Sequence, residues 1–244
     1  MKIISKIKIH IFFYLVAFLA VLTGLFKDFI ILSSIIIIHE LGHVLGALYF
    51  KWKIDKIIIL PFGGLTVFNE KINRSMKEEF IILVLGPIFQ IIYALTLNSE
   101  IFNNYHYAIL LFNLLPIHPL DGSKLFNLFI NKLFPFKLSH LFTIILSFIV
   151  IWITFFYRIN LLSILILLFL FINVVKELKI HQYLFNRFLL ERYFYHFNFK
   201  KNKIIKGNDL HKMYRDYKHL FYDGEKYRSE REILRKTFDN KVKL

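Results

Sequence analysis

Phe29–Phe50 read FIILSSIIIIHELGHVLGALYF, and this stretch decides the fold. It meets the length of roughly 20 apolar residues that a helix needs to cross a bilayer. Within it, only His39, Glu40 and His43 depart from an apolar, weakly polar or aromatic character. Groups of this kind are costly at membrane depth and are kept there for function. On a helix, histidines at i and i+4 share one face. The H-E-x-x-H spacing therefore lets His39 and His43 both bind Zn²⁺ while Glu40, beside them, acts on a metal-bound water.

The rest of the chain agrees with a membrane reading. A composition of 57% hydrophobic and 18% aromatic residues excludes an ordinary soluble domain, and 244 residues leave little beyond one membrane domain. Spans are expected at about 10–26, 29–50, 79–97, 105–115 continuing after a break to 134, 139–157 and 160–175. The expected fold is an α-helical polytopic membrane protein with about six transmembrane helices, a short membrane-edge β-hairpin and a small cytosolic C-terminal tail. Lys2, Lys6 and Lys8 precede the first span as in a signal peptide. That run is too long, however, and no small-x-small cleavage site follows it, so it reads as an uncleaved span.

A net charge of +15 invites a nucleic-acid partner, but its distribution argues against direct nucleic-acid binding. With the N-terminus inside, all 32 Lys and Arg residues except Lys27 and Arg158 fall on the cytosolic side. This asymmetry puts both termini in the cytosol and makes anionic lipid a partner of the basic segments. The absence of cysteine excludes disulfides and thiolate-held metal.

After the second span, Ile57–Val67 carries Pro61, Gly63 and Gly64 and is too short to cross. It reads as strand, turn, strand, either a hairpin dipping into the membrane edge or an amphipathic connector. Gly86-Pro87 in the third span marks a kink or a close helix approach. In the fourth, Pro116 and Pro119 open the helix around His118, and Asp121 stands where a new helix can start. Two readings of Asp121 are open, an N-cap and a third zinc ligand. Depth favours the ligand, because His43 and Asp121 both come late in spans running toward the cytosol. His118 is an alternative ligand or a substrate contact, whereas His10, His106, His140 and His181 read as interface or packed residues.

With His39, His43 and Asp121 on zinc, the fourth position is left for water. Zinc brings the pKa of that water down to about 7, and Glu40 takes its proton and passes it to the leaving amide nitrogen. A peptide bond inside a membrane helix is hidden, so cleavage needs local unwinding. The segments at 61–64 and 113–122, with Phe62, Gly63, Gly64, Asn113 and Pro116, offer backbone and small residues to an extended substrate strand.

Beyond Lys176 the chain leaves the apolar pattern. His181–Asn198 suits a helix on the membrane surface, and the tail after Lys200 is basic, with helical patches around 210–220 and 229–238. That tail is too short for a robust core of its own.

The two motif regions together resemble the site-2 protease family of intramembrane zinc metalloproteases, which joins HExxH to a later N-x-x-P-x-x-P-L-D-G segment. The matching residues are His39, Glu40 and His43, then Asn113, Pro116, Pro119, Leu120, Asp121 and Gly122. Leu60-Pro61-Phe62-Gly63-Gly64, Gly86-Pro87 and Arg187–Tyr193 look like the stage IV sporulation protein FB group. The resemblance implies one Zn²⁺ per chain, Glu40 as the catalytic residue, and His39, His43 and Asp121 as metal ligands. It also implies removal of the N-terminal pro-sequence of a pro-sigma-K-like substrate, and inhibitory membrane partners of the sporulation pathway. The setting it implies is the mother-cell membrane around the forespore. On this basis residues 1–176 form the protease domain, 177–200 an interfacial linker helix, and 201–244 a short basic tail. Ser123 replaces a second glycine common in the family, and His118 stands where an aromatic is expected. The tail is about half the size of the nucleotide-sensing CBS domain found in this branch, which puts nucleotide binding there in doubt. Two competing readings are a site-2 protease with another membrane substrate and a scaffold that holds a partner without cutting it.

Overall fold

The computed structural model describes residues 3–97, 100–156 and 161–242. Arg158 and the expected span ends at Tyr157 and Asn160 lie outside these. The described chain is mostly helical with two small three-stranded sheets. It divides into two compact units, Met1–Glu70 with Lys77–Leu115 and Pro119–Gly122, and Lys71–Met76 with Pro116–His118 and Ser123–Leu244.

The first unit opens with β1 (Ile7–Ile9) and α1 (Ile11–Leu22), and His10 Nδ1 accepts from the Phe12 amide at the start of α1. Next come α2 (Phe26–Tyr49), β2 (Ile54–Leu60), β3 (Gly63–Phe68), α3 (Met76–Leu97) and α4 (Glu100–Asn113). Strands β2 and β3 pair antiparallel from Leu60↔Gly63 to Ile54↔Phe68, so Pro61 and Phe62 form the turn of a hairpin. β1 joins the other side of β2 in parallel, from Ile7↔Ile57 to Ile9↔Ile59. The order β1-β2-β3 leaves the outer edge of β3 without a strand partner among the described residues.

Helix α2 turns the soluble pattern inside out. Its buried side chains include His39, Glu40 and His43, while Ile30, Ile37, Leu41, Leu45 and Leu48 are exposed. In lipid the apolar face needs no cover, and the polar groups gather inside. Ile35 and Ile36 of α2 pack with Ala94, Phe102 and Ile109 of α3 and α4. Val44 and Ala47 pack with Ile82 and with Trp52, Ile54 and Ile57 at the sheet. α3 continues through Pro87 as one helix. The fourth expected span is broken where its prolines lie: α4 ends at Asn113, and α5 (Asp121–Ile130) starts after an irregular stretch.

The second unit continues with α6 (Phe136–Phe155), α7 (Leu161–Phe194), β4 (Lys201–Lys206), β5 (Tyr217–Tyr222), β6 (Tyr227–Ser229) and α8 (Glu230–Val242). Among the described residues three helices are long and apolar enough to cross a membrane: α2, α3 and α6. α1 is apolar but only 12 residues long. α7 passes through Lys176 without a break, so the last expected span and most of the expected linker lie on one helix of 34 residues.

The tail differs from its sequence reading. Residues 210–220 were expected to be helical. Instead Leu210–Lys212 make one 3-10 turn and Tyr217–Tyr222 a strand, parallel to β4 and antiparallel to β6. The apolar spacing from Leu210 to Leu220 fits a helix, but over 217–222 it also alternates. There His219 and Phe221 point inward and are fully buried. Ile205, Met213, Phe221, Ile233 and Leu234 share a core with Phe136, Phe185, Phe188 and Leu189. The tail thus gains its core by packing on α6 and α7, which offsets its small size.

Candidate metal centre and active site

One turn of α2 brings two histidines to one buried face. His39 and His43 lie four residues apart on its buried face, with 1% and 3% of their surfaces exposed. Asp121, the first residue of α5, brings Oδ2 to 3.1 Å from His39 Nε2 and 2.8 Å from His43 Nε2. The two Nε2 atoms are 3.1 Å apart. Among the described residues this is the cluster of three ligand atoms close enough to share one ion.

The partners on the far side of each ring fix where the protons lie. His43 Nδ1 is 2.8 Å from the Ile82 carbonyl, which can only accept, so Nδ1 carries a hydrogen and Nε2 is the nitrogen turned toward Asp121 and His39. His39 Nδ1 is 2.8 Å from Gln90 Oε1. The orientation of that amide follows from its other end, which lies 2.9 Å from the His106 carbonyl and must donate. Gln90 therefore turns its oxygen to His39, and His39 too presents Nε2 to the cluster. Two ring nitrogens and a carboxylate oxygen then face one another in a buried space. A single proton can bridge one pair of them, whereas a divalent cation satisfies all three. Two imidazoles, one carboxylate and a remaining position for water form the donor set of a catalytic zinc site.

Close approach here depends on glycine. A Cβ on Gly86 would overlap the His43 ring and lie 3.0 Å from His39 Nε2. Gly86-Pro87 thus marks where α3 passes the metal-binding face of α2, and Gly86 lets it come within reach.

Glu40 is buried beside the cluster, with Oε2 accepting from Thr66 Oγ1 at 2.5 Å. Thr66 lies on β3, and a Cβ on Gly64 of the same strand would overlap the Glu40 carboxylate. Gly63 sits against Asn113, whose Oδ1 would be 2.9 Å from an added Cβ. Asn113, at the end of α4, is 3% exposed. Phe62 at the hairpin turn meets Phe112 edge-on, with ring centroids 5.7 Å apart. The hairpin, Glu40 and Asn113 therefore share one place.

Pro116 and His118 belong to the second unit, where the Ser147 hydroxyl bonds to the Pro116 carbonyl and the His118 amide, each at 3.1 Å. His118 Nε2 is 3.4 Å from Glu177, which also takes His140 Nε2 at 2.8 Å, and His140 Nδ1 meets His181 Nδ1 at 2.7 Å. His118 is accordingly absent from the ligand cluster.

Thr66 and Gln90 escaped the sequence reading. Thr66 is one hydroxyl in a short strand, with no signal of its own. Gln90 gave a signal that went unread: an amide inside an apolar span, one turn after Gly86.

Comparison with known proteins agrees with this geometry. Residues 28–107 match peptidase family M50. The chain is 35% identical over 216 residues to stage IV sporulation protein FB of Bacillus subtilis (strain 168), covering 80% of this chain and 73% of that protein. It is 33% identical over 150 residues to a zinc metalloprotease of Methanocaldococcus jannaschii, covering 52% of this chain and 43% of that one. Its fold matches the solved site-2 protease of M. jannaschii with a TM-score of 0.54 at 25% identity, over 70% of this chain and 89% of the other. With the zinc-type donor set at its centre, the chain belongs to peptidase family M50, the site-2 proteases, and is a membrane metalloendopeptidase.

Proposed function

We propose that this endopeptidase cuts a membrane-associated substrate near the cytosolic face and removes the N-terminal pro-sequence of a sporulation sigma factor precursor of the pro-sigma-K type. The donor atoms of His39, His43 and Asp121, gathered at one point beside the carboxylate of Glu40, carry the proposal. The similarity to stage IV sporulation protein FB supports the choice of substrate. The proposal includes about six spans, with both termini cytosolic in the mother-cell membrane around the forespore. Anionic lipid and inhibitory membrane proteins of the sporulation pathway are its further partners.

His39, His43 and Asp121 hold the metal. When bound, zinc supplies an acidified water and polarises the scissile carbonyl. Glu40 takes the proton of the attacking water on Oε1 and delivers it to the leaving amide nitrogen. Thr66 keeps Oε2 engaged, so the carboxylate presents one oxygen in a fixed direction. The open edge of β3 accepts an extended substrate strand by main-chain hydrogen bonds, with Gly63 and Gly64 leaving space above Glu40. Phe62 and Asn113 complete the substrate contacts.

The test is co-expression with a pro-sequence substrate, comparing wild type with Glu40→Gln, which keeps the ligands and loses the base. Processing by wild type alone is expected. Equal processing by both would overturn the enzymatic assignment to this site. Failure of wild type on pro-sigma-K, together with cleavage of another membrane protein, would overturn the substrate.

A further inference from the structure

We infer that Gln90 is a positioning residue for the metal: its buried amide fixes the tautomer and direction of His39, and His106 on α4 fixes the amide. The inference rests on the zinc site described above. Gln90 is fully buried in α3, one of the three helices long and apolar enough to cross a membrane. Leucine or isoleucine would suit that environment better, so the amide is retained against a desolvation cost. Both ends of the amide are engaged. Oε1 accepts from His39 Nδ1 at 2.8 Å, and Nε2 reaches the His106 carbonyl at 2.9 Å and His106 Nδ1 at 3.3 Å. Gln90 also lies four residues after Gly86, the point at which α3 touches the two ligand rings, so both residues use one face of the helix.

The chemistry of the partner matters as well. A histidine ligand usually donates its second N–H to a carboxylate, a carbonyl or water, and the strength of that acceptor tunes the ring as a donor. Here both rings have neutral acceptors, the Gln90 amide and the Ile82 main chain. Asp121 is then the single anionic ligand, and the centre avoids a second buried carboxylate behind His39.

Gln90 could instead serve only to tie α2, α3 and α4 together. The two roles rank substitutions differently. Gln90→Leu removes both the acceptor and the donors, whereas Gln90→Glu keeps the acceptor for His39 and loses the donors to His106. If Gln90 positions the metal, Gln90→Glu retains zinc at wild-type affinity or tighter, and Gln90→Leu holds it about 10- to 100-fold more weakly. If it is only a tie between helices, Gln90→Glu is no better than Gln90→Leu, because it buries a charge and loses the same donors.

The experiment measures zinc affinity by chelator competition on the full chain in detergent, on the fraction that elutes from size exclusion as wild type does. Weak zinc in Gln90→Leu with recovery in Gln90→Glu is the expected result. Wild-type affinity in folded Gln90→Leu overturns the inference. Should Gln90→Leu fail to fold, a Gln90→Glu protein that folds and loses zinc by tenfold or more overturns it equally. A wild-type chain that binds no zinc would overturn the metal site itself, which is a distinct outcome.

Discussion

Thr66 Oγ1 donates a 2.5 Å hydrogen bond to Glu40 Oε2, so a strand of the hairpin holds the carboxylate that the helix supplies. On the proposed mechanism the bond joins the strand that would receive substrate to the base. A hydrogen bond to a charged group is worth about 1.5–3 kcal/mol, or roughly 10- to 100-fold in rate if it is needed in the transition state. Thr66→Val is expected to lower kcat by that factor with zinc content unchanged, and Thr66→Ser to restore most of it. Single-turnover cleavage beside metal analysis checks both. Wild-type kcat in Thr66→Val would remove the role.

Gly64 sets the room above the same carboxylate. A methyl group there overlaps Glu40, and the strand cannot retreat without losing its pairing with Ile59. Misplacement of a reacting group by about 1 Å costs roughly 100-fold. Gly64→Ala is expected to lose at least that much activity while binding zinc normally. A Gly64→Ala enzyme as active as wild type would show that the carboxylate has another resting place.

Metal removal separates the ligands from the base. His39→Ala and Asp121→Ala each leave two ligands of three and are expected to purify without zinc and without activity. Glu40→Gln is expected to keep zinc and be inactive. Chelation of wild type should abolish cleavage, and added Zn²⁺ should restore it. Zinc that survives in Asp121→Ala would return that residue to its other reading, a helix cap.

These residues differ in how legible they are. His39, Glu40 and His43 announce themselves because the chemistry depends on residue type at a fixed helical spacing, and lipid makes any polar group conspicuous. Asp121 left two readings, since a carboxylate after a proline is also a good cap; depth leans toward a ligand, and its Oδ2 distances to both histidines favour the same reading. Thr66 could not be found, because a threonine in a strand is ordinary until tertiary structure places it at Glu40. The tail shows the opposite difficulty. Leu210, Met213, Tyr217 and Leu220 satisfy a helical period, but the strand that forms buries His219 and Phe221, so tertiary burial decided between two local patterns.

Arg192 anchors that tail. Its guanidinium is buried and donates to Asn73 Oδ1 at 2.6 Å, to the Tyr214 and Tyr217 carbonyls at 2.8 and 2.9 Å, and to Glu230 at 3.1 Å. Arg192→Ala leaves Glu230 and two carbonyls without this donor, at a cost of about 3–5 kcal/mol. Arg192→Lys should rescue little, because one ammonium cannot span acceptors spread around a planar fork. Limited proteolysis of the full chain is expected to cut near residues 200–230 in both variants. Wild-type resistance in Arg192→Lys would mean that charge alone suffices.

Acid should loosen the same module. His219 is fully buried, and burial, helped by the Arg192 and Lys203 charges, holds its imidazole below the ordinary value despite the pull of Glu230. The geometry gives the reason. Nε2 accepts from the Tyr214 amide at 3.0 Å, and Nδ1 meets Glu230 Oε2 at 3.0 Å, so a second proton would break the first bond. Between the lowered folded value and an unfolded value of about 6.5, the unfolded chain binds more protons, so stability falls as pH drops below about 6.5. For Glu230, burial works to raise the pKa, but the bond with His219 and the charge of Arg192 outweigh it and hold the carboxyl low. Its contribution is present above the unfolded value of about 4.3 and is lost as pH falls through the folded value. The two windows succeed each other with the same sign. Hydrogen exchange on the full chain, corrected for intrinsic rates, should therefore show protection in β5 and α8 falling between pH 7.5 and 5.5 while α2 holds. His219→Gln should flatten this first limb, and a wild-type tail equally protected at both pH values would refute the coupling.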